Sequence, residues 1–174
     1  GVKVIWYEAP TTADPVDIFT RLNVGRIPLT DAELVKAFLL SRSRGTPGRA
    51  DRSEQVAAQW DAFELALREP EVWAFVTKKH ESEATHIELL LDTIADREDK
   101  PGGGERPSYH TFETLRPFIQ QDPQVFWDEV VKLHSLILGW YDDRDFYHKV
   151  GYLVAVGHRF GDLVEMAQGK TKTR

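Results

Sequence analysis

The sequence predicts a mainly α protein, a helical array with one short strand at its N-terminal side. Three observations point there. From Asp51 onward, apolar residues recur at helical spacing, with Val56, Trp60, Phe63 and Leu67 the clearest series. Helix-start signatures recur along the chain, at Asp14-Pro15, at Thr30-Asp31-Ala32-Glu33 and at Asp122-Pro123. One run alone, Val2 to Ala9 (VKVIWYEA), is short and rich in β-formers, so it reads as a single strand.

After that strand, Asp14-Pro15 supplies an N-cap and a proline at the first helical position, opening a helix to about Asn23 with Val16, Phe19 and Leu22 on one face. Val24-Gly25-Arg26-Ile27-Pro28 is the following turn. Gly25 accepts a positive φ there, and Pro28 keeps Ile27 out of the helical region. Thr30 and Glu33 form a capping box, and the helix behind it carries Leu34, Val35, Phe38 and Leu39. Ser41 to Ala50 (SRSRGTPGRA) reads as a loop.

Past the Val56–Leu67 series, Pro70 starts a helix with Val72, Trp73, Phe75 and Val76, and Ile87, Leu90, Leu91 and Ile94 mark the next. Pro101-Gly102-Gly103-Gly104 is a flexible break. Phe112, Leu115, Phe118 and Ile119 then form a short helix. Asp122-Pro123 opens the longest one, with Phe126, Val130, Leu133, Ile137 and Tyr141 on one side. Trp127 and Leu138 widen that stripe enough to suggest burial on more than one face. Tyr147 to Val156 and Asp162 to Ala167 complete the array.

At 174 residues the chain is long enough for a sizeable core, and 41% apolar content with five Trp marks it as globular. It has no cysteine, which excludes disulfides, zinc–thiolate sites and cysteine nucleophiles and fits a cytoplasmic location. No apolar run approaches the roughly 20 residues that a membrane span needs. A formal net charge of -6 argues against nucleic-acid binding over the whole surface and leaves room for local basic patches. Gly1 in place of Met and the polar basic tail Gly169 to Arg174 suggest a piece of a longer protein.

Few motifs carry chemistry. The six histidines show no HExxH and no ligand spacing, so each is expected at the surface or at a helix end, and no metal site is expected. Asp142, Asp143 and Asp145 lie where one helix ends and another begins, which capping explains. Neither a Walker-type loop nor GxGxxG is present, and Gly102 to Gly104 is a linker without a preceding strand. Arg42, Arg44, Arg49 and Arg52 gather four positive charges against Asp51 alone. Guanidinium forks match phosphate oxygens, although a solvated connector is the simpler explanation. Around the turn before the capping box, Arg21 and Arg26 serve neither turn nor cap and would suit a phosphate.

Phe19-Thr20-Arg21-Leu22-Asn23-Val24-Gly25 fits F-x-R-[IL]-N-x-G, and Thr30 to Ala37 fits [ST]-x-x-E-L-x-K-A. The combination resembles the ParB-like, GmrSD-type restriction endonuclease N-terminal domain family. About 100 residues on, Trp140-Tyr141 followed by Phe146-Tyr147-His148-Lys149-Val150-Gly151-Tyr152-Leu153 resembles the family's later helical stretch, an aromatic pair and then Y-H-x-x-G-Y-L. The resemblance implies a ParB/sulfiredoxin-like α/β core with an Asp-Gly-Gln-Gln-Arg motif that binds or hydrolyses nucleotide. It also implies a helical region after that core and, in many members, a separate HNH-type nuclease domain. This sequence contains neither Asp-Gly-Gln-Gln-Arg nor an HNH-like cluster.

By that resemblance, residues 1–41 are the end of the ParB-like core, and 42–174 are its helical region, with breaks near 42–50 and 99–107. The resulting expectation is a fragment of a bacterial restriction or phage-defence protein whose parent binds a nucleoside triphosphate and acts on DNA. No catalytic residue is expected in the fragment. Its phosphate-binding candidates are Arg21, Asn23, Gly25, Arg26, Arg42 and Arg44. The competing expectation is a non-enzymatic helical module that pairs with a second copy of itself through aromatic-rich surfaces.

Overall fold

A computed structural model describes residues 29–45, 51–77, 85–98 and 107–169. The expected strand at 2–9, the helix at 14–23 and the turn at 24–28 lie outside the described residues, as does the Gly102–Gly104 break. Among the described residues the architecture is all helical. The eight helices are α1 (Asp31–Ser43), α2 (Ser53–Arg68), α3 (Pro70–Val76), α4 (Glu88–Glu98), α5 (His110–Gln121), α6 (Pro123–Asp142), α7 (Arg144–Ala155) and α8 (Phe160–Ala167).

The expected capping box opens α1. Thr30 Oγ1 accepts from the Glu33 N–H at 3.2 Å, and the Glu33 carboxylate accepts from the Thr30 N–H at 2.8 Å. The helix continues to Ser43, two residues beyond the expected start of the loop. Ser41 donates its hydroxyl to the Phe38 carbonyl at 2.7 Å, and the buried Ser43 accepts the Arg52 N–H at 3.0 Å. Those bonds satisfy the polar groups of the last turn and tie the end of α1 to the start of α2.

The long helix α6 is the hub, in contact with α1, α3, α4, α5 and α7. Its buried residues, Phe126, Trp127, Val130, Leu133, His134, Ile137 and Trp140, run round more than one face, as the wide apolar stripe predicts. Asp122 caps it by accepting from the N–H groups of Gln124 and Val125, and Asp143 caps α7 in the same way through Asp145 and Phe146. The α2–α6 seam is a column of near-parallel rings. Trp60 lies 5.9 Å from Trp127, Phe63 lies 5.6 Å from Trp127, and Phe63 lies 3.9 Å from His134, all centroid to centroid. The indole of Trp127 donates to Gln59 at 2.8 Å, so the column carries one satisfied polar handle.

Two helices take their N-terminal caps from other helices. Tyr109, the residue before α5, has φ +62° and contributes no side-chain cap. Instead Asp31, in the first turn of α1, accepts the Phe112 N–H at 2.7 Å. The start of α4 is closed by Glu64 of α2, which accepts from the His86 N–H at 2.8 Å and the Ile87 N–H at 2.9 Å. In both cases a negative charge from a distant helix sits at the positive end of the helix dipole. These bonds dock α5 on α1 and α4 on α2.

The histidine expectation needs correction at His134. His148 and His158 are exposed and His86 lies at the start of α4, as expected, although it is only 7% exposed; His134, also 7% exposed, sits mid-helix in the packed interior. His86 is held by Glu64, and His134 lies flat against Phe63. Periodicity alone cannot show either contact, because each partner lies on another helix.

Candidate functional site

Four of the six expected phosphate-binding residues, Arg21, Asn23, Gly25 and Arg26, lie outside the described residues. The other two, Arg42 and Arg44, stand exposed at the C-terminal end of α1. The Cζ of Arg42 is 5.2 Å from the centroid of the Phe38 ring, one turn earlier on the same helix. From α5, Arg116 brings its Cζ to 5.9 Å from that ring. Phe38 is itself 6% exposed and meets Phe112 edge-on at 6.1 Å, so both guanidiniums rest on a fixed aromatic brace.

Arg52 joins them through the loop closure. Its N–H donates to Ser43, and its Nη1 donates to Gln124 at 2.7 Å. The nearest acid, Asp51, is already used by the start of α2. The Ser53 hydroxyl and N–H, above all, then the Gly45 N–H and the charge of Arg44, hold its carboxyl below the ordinary value against a small desolvation penalty. Among the described residues, no carboxylate comes within ion-pair distance of Arg42 or Arg44. The result is a basic corner built from three helices and the start of a fourth, on a chain whose net charge is -6.

Sequence reading found Arg42, Arg44 and Arg52 by their local density. It missed Arg116, an isolated arginine beside Pro117 that reaches the corner only because α5 packs on α1.

Two other constellations invite chemistry. Glu64 and His86 approach at 3.1 Å between Oε1 and Nδ1, the geometry of a carboxylate–imidazole pair. Burial pushes the Glu64 carboxyl up, but the Ile87 N–H and the His86 ring, N–H and charge outweigh it, leaving the group below its ordinary value. Arg68 also reaches it, at 3.3 Å. A carboxylate committed to two backbone N–H groups, a ring and a guanidinium is fixed by the fold and is poorly placed to move protons.

The second is a cleft of about 480 Å³ between α4 and the α7–α8 turn, lined in part by Trp73, Glu88, Asp92, Asp96 and Phe160. Its acids are engaged as well. Asp92 accepts the Thr111 hydroxyl at 2.6 Å, Asp96 pairs with Arg159 at 3.3 Å, and Glu88 accepts from Thr85 at 3.1 Å. Among the described residues, no group of three or more histidines and carboxylates is arranged to hold a metal ion.

The end of α1 is therefore the candidate site, with Arg42 and Arg44 exposed and, among the described residues, no carboxylate within ion-pair distance of either. No protein-family model matches the chain, and neither the curated proteins nor the solved structures include a match.

Proposed function

We propose that the chain is a piece of a ParB-like, GmrSD-type restriction or phage-defence protein, the parent binding a nucleoside triphosphate and acting on DNA. The observation that carries this reading is the spacing of Phe19 to Ala37. Turn and cap chemistry accounts for Gly25, Thr30 and Glu33 in that segment and leaves Arg21 and Arg26 without a structural duty. The exposed Arg42 and Arg44 at the far end of α1 add support, since phosphate handling needs available cations and no carboxylate among the described residues lies within ion-pair distance of either.

Nucleotide hydrolysis and strand cleavage are not assigned to these 174 residues, which contain neither an Asp-Gly-Gln-Gln-Arg run nor an HNH-like cluster. In the full-length protein, Arg21→Ala is expected to weaken nucleotide binding by about 10-fold or more, the worth of one charge-assisted hydrogen bond, with thermal stability nearly unchanged. Titration of a fluorescent nucleotide reads this directly, and an unaltered dissociation constant would sink the assignment.

A second reading draws on a different surface. Phe146, Tyr152, Val156 and Met166 expose apolar side chains on α7 and α8 and at their ends, with Tyr152 67% exposed. A helical module that dimerises through such side chains needs neither nucleotide nor DNA. Light scattering across protein concentration separates the two, because the first reading requires no change in mass.

A further inference from the structure

Opposite its packed side, α7 turns an exposed face to solvent. Val150 and Val154 are buried on the side where α7 meets α3 and α6. At 3.6 residues per turn, Asp145, Lys149, Tyr152 and Val156 fall within about 60° of one another on the other side of the helix. All four are exposed, Tyr152 to 67% and Val156 to 55%. Val156 caps the helix yet keeps helical dihedrals (φ -85°, ψ 0°), and its N–H donates to the Tyr152 carbonyl at 3.0 Å, so the stripe is continuous to its end. A lone exposed apolar side chain is ordinary on a protein surface. Steps of four, three and four residues are the spacing of a seam that a facing helix fills.

We propose that α7 pairs antiparallel with α7 of a second copy of the chain, about a two-fold axis midway between Lys149 and Tyr152. The choice of a second copy rests on how the charges and the ring are placed along the stripe. Lys149 and Tyr152 stand at equal distances on either side of that axis, so each ammonium meets the phenol ring of the other copy, twice per dimer. Asp145 then falls at the rim beside Val156 of the other copy, next to the turn that carries His158 and Arg159. Parallel pairing would set Lys149 against Lys149 and Asp145 against Asp145, both like-charge contacts. A uniformly acidic or uniformly basic partner would answer one of these two charges and oppose the other. The rings flanking the seam are already used. Phe146 stacks on Trp140 at 6.2 Å and Tyr147 on Phe75 at 5.3 Å, which holds α7 on its own core and leaves the stripe to a partner.

From Asp145 to Val156 the seam is about 16 Å long at 1.5 Å per residue, one helix against one helix. That is small beside a stable dimer interface, so the pairing is expected to be weak, with a dissociation constant on the order of 100 µM. The proposal rests on the reading of a self-associating helical module and deepens it, by naming α7 as the contact and its antiparallel copy as the partner. It uses none of the residues that the nucleotide test on Arg21 touches, so either can fail while the other stands.

The test is sedimentation equilibrium of the 174-residue chain from about 10 µM to about 1 mM, a range that spans the expected constant. The mean mass should rise with concentration towards that of two chains. Tyr152→Ala removes a ring from both halves of a symmetric pair and is expected to weaken association by about 10-fold or more. Lys149→Glu sets a carboxylate against the ring and should weaken it comparably, whereas Lys149→Arg keeps the cation and should retain the pairing. Leu65→Ser on α2, at a side chain 63% exposed, should change nothing. Each substituted position is exposed, and circular dichroism confirms that every variant is folded before it is spun. A chain that stays monomeric at about 1 mM overturns the pairing together with the self-associating reading. A dimer that survives Tyr152→Ala and Lys149→Glu overturns the α7 pairing alone and leaves that reading standing. The pairing is also overturned if Leu65→Ser weakens association as much as Tyr152→Ala.

Discussion

Glu64 and Arg42 are both charged side chains on helices of the same core, and the fold treats them in opposite ways. Glu64 gives its oxygens to the N–H groups of His86 and Ile87, the His86 ring and Arg68, with its side chain 16% exposed. Arg42 rests on Phe38 in solvent with no carboxylate in reach among the described residues. The first charge has its partners supplied by folding, and the second has a partner still to find. Charge density alone does not mark a functional site. What distinguishes a candidate is charge that has no acid in reach, here Arg42 and Arg44 at the end of α1 among the described residues.

The sharpest way to break this comparison is to remove Glu64. Glu64→Ala leaves two buried N–H groups and a buried ring without an acceptor, so a loss of about 3 kcal/mol is expected in urea denaturation. Asp31→Ala strips the other distant cap, at the start of α5, and is expected to cost about 2 kcal/mol. By contrast, Arg42→Ala should keep its stability within about 1 kcal/mol, the worth of an exposed cation–π contact.

His134 sharpens the contrast through pH. Burial alone holds its pKa below the ordinary 6.5, and its Nε2 has no hydrogen-bond partner. The folded protein thus keeps the ring neutral while the unfolded chain takes up a proton. Stability should fall as pH drops through about 6.5, by at most about 1.4 kcal/mol per pH unit. His134→Phe, which keeps the stack on Phe63, should remove that fall. Glu64 acts in a lower window, because its depressed carboxyl adds stability above its ordinary 4.5 that is lost as pH falls through the folded value. The smallest expected effect is Thr30→Ala, which removes a local cap and should cost about 1 kcal/mol without touching either pH window.

How much of this was legible in the sequence follows from the distance over which each interaction acts. Thr30, Asp122 and Asp143 each act on N–H groups two or three residues ahead and Glu33 on one three residues behind, so their helix starts could be read directly. The wide apolar stripe of α6 correctly announced the hub, because its burial is written in one helix's own periodicity. Glu64 closes a helix that starts more than 20 residues later, and Asp31 one that starts about 80 residues later. No local pattern encodes such pairings, so α4 and α5 showed their apolar residues but not their caps. The same limit applies to the site. Arg42 and Arg44 stood out by neighbouring charges, whereas Arg116 was invisible until α5 met α1, and His134 gave no sign of its ring stack.

The central claim is that folding uses the charge of Glu64 as a cap and leaves Arg42 exposed, with no carboxylate in ion-pair reach among the described residues. The most direct measurement is urea denaturation of Glu64→Ala beside Arg42→Ala. The account predicts a loss of about 3 kcal/mol for the first and less than about 1 kcal/mol for the second. Equal losses would contradict it.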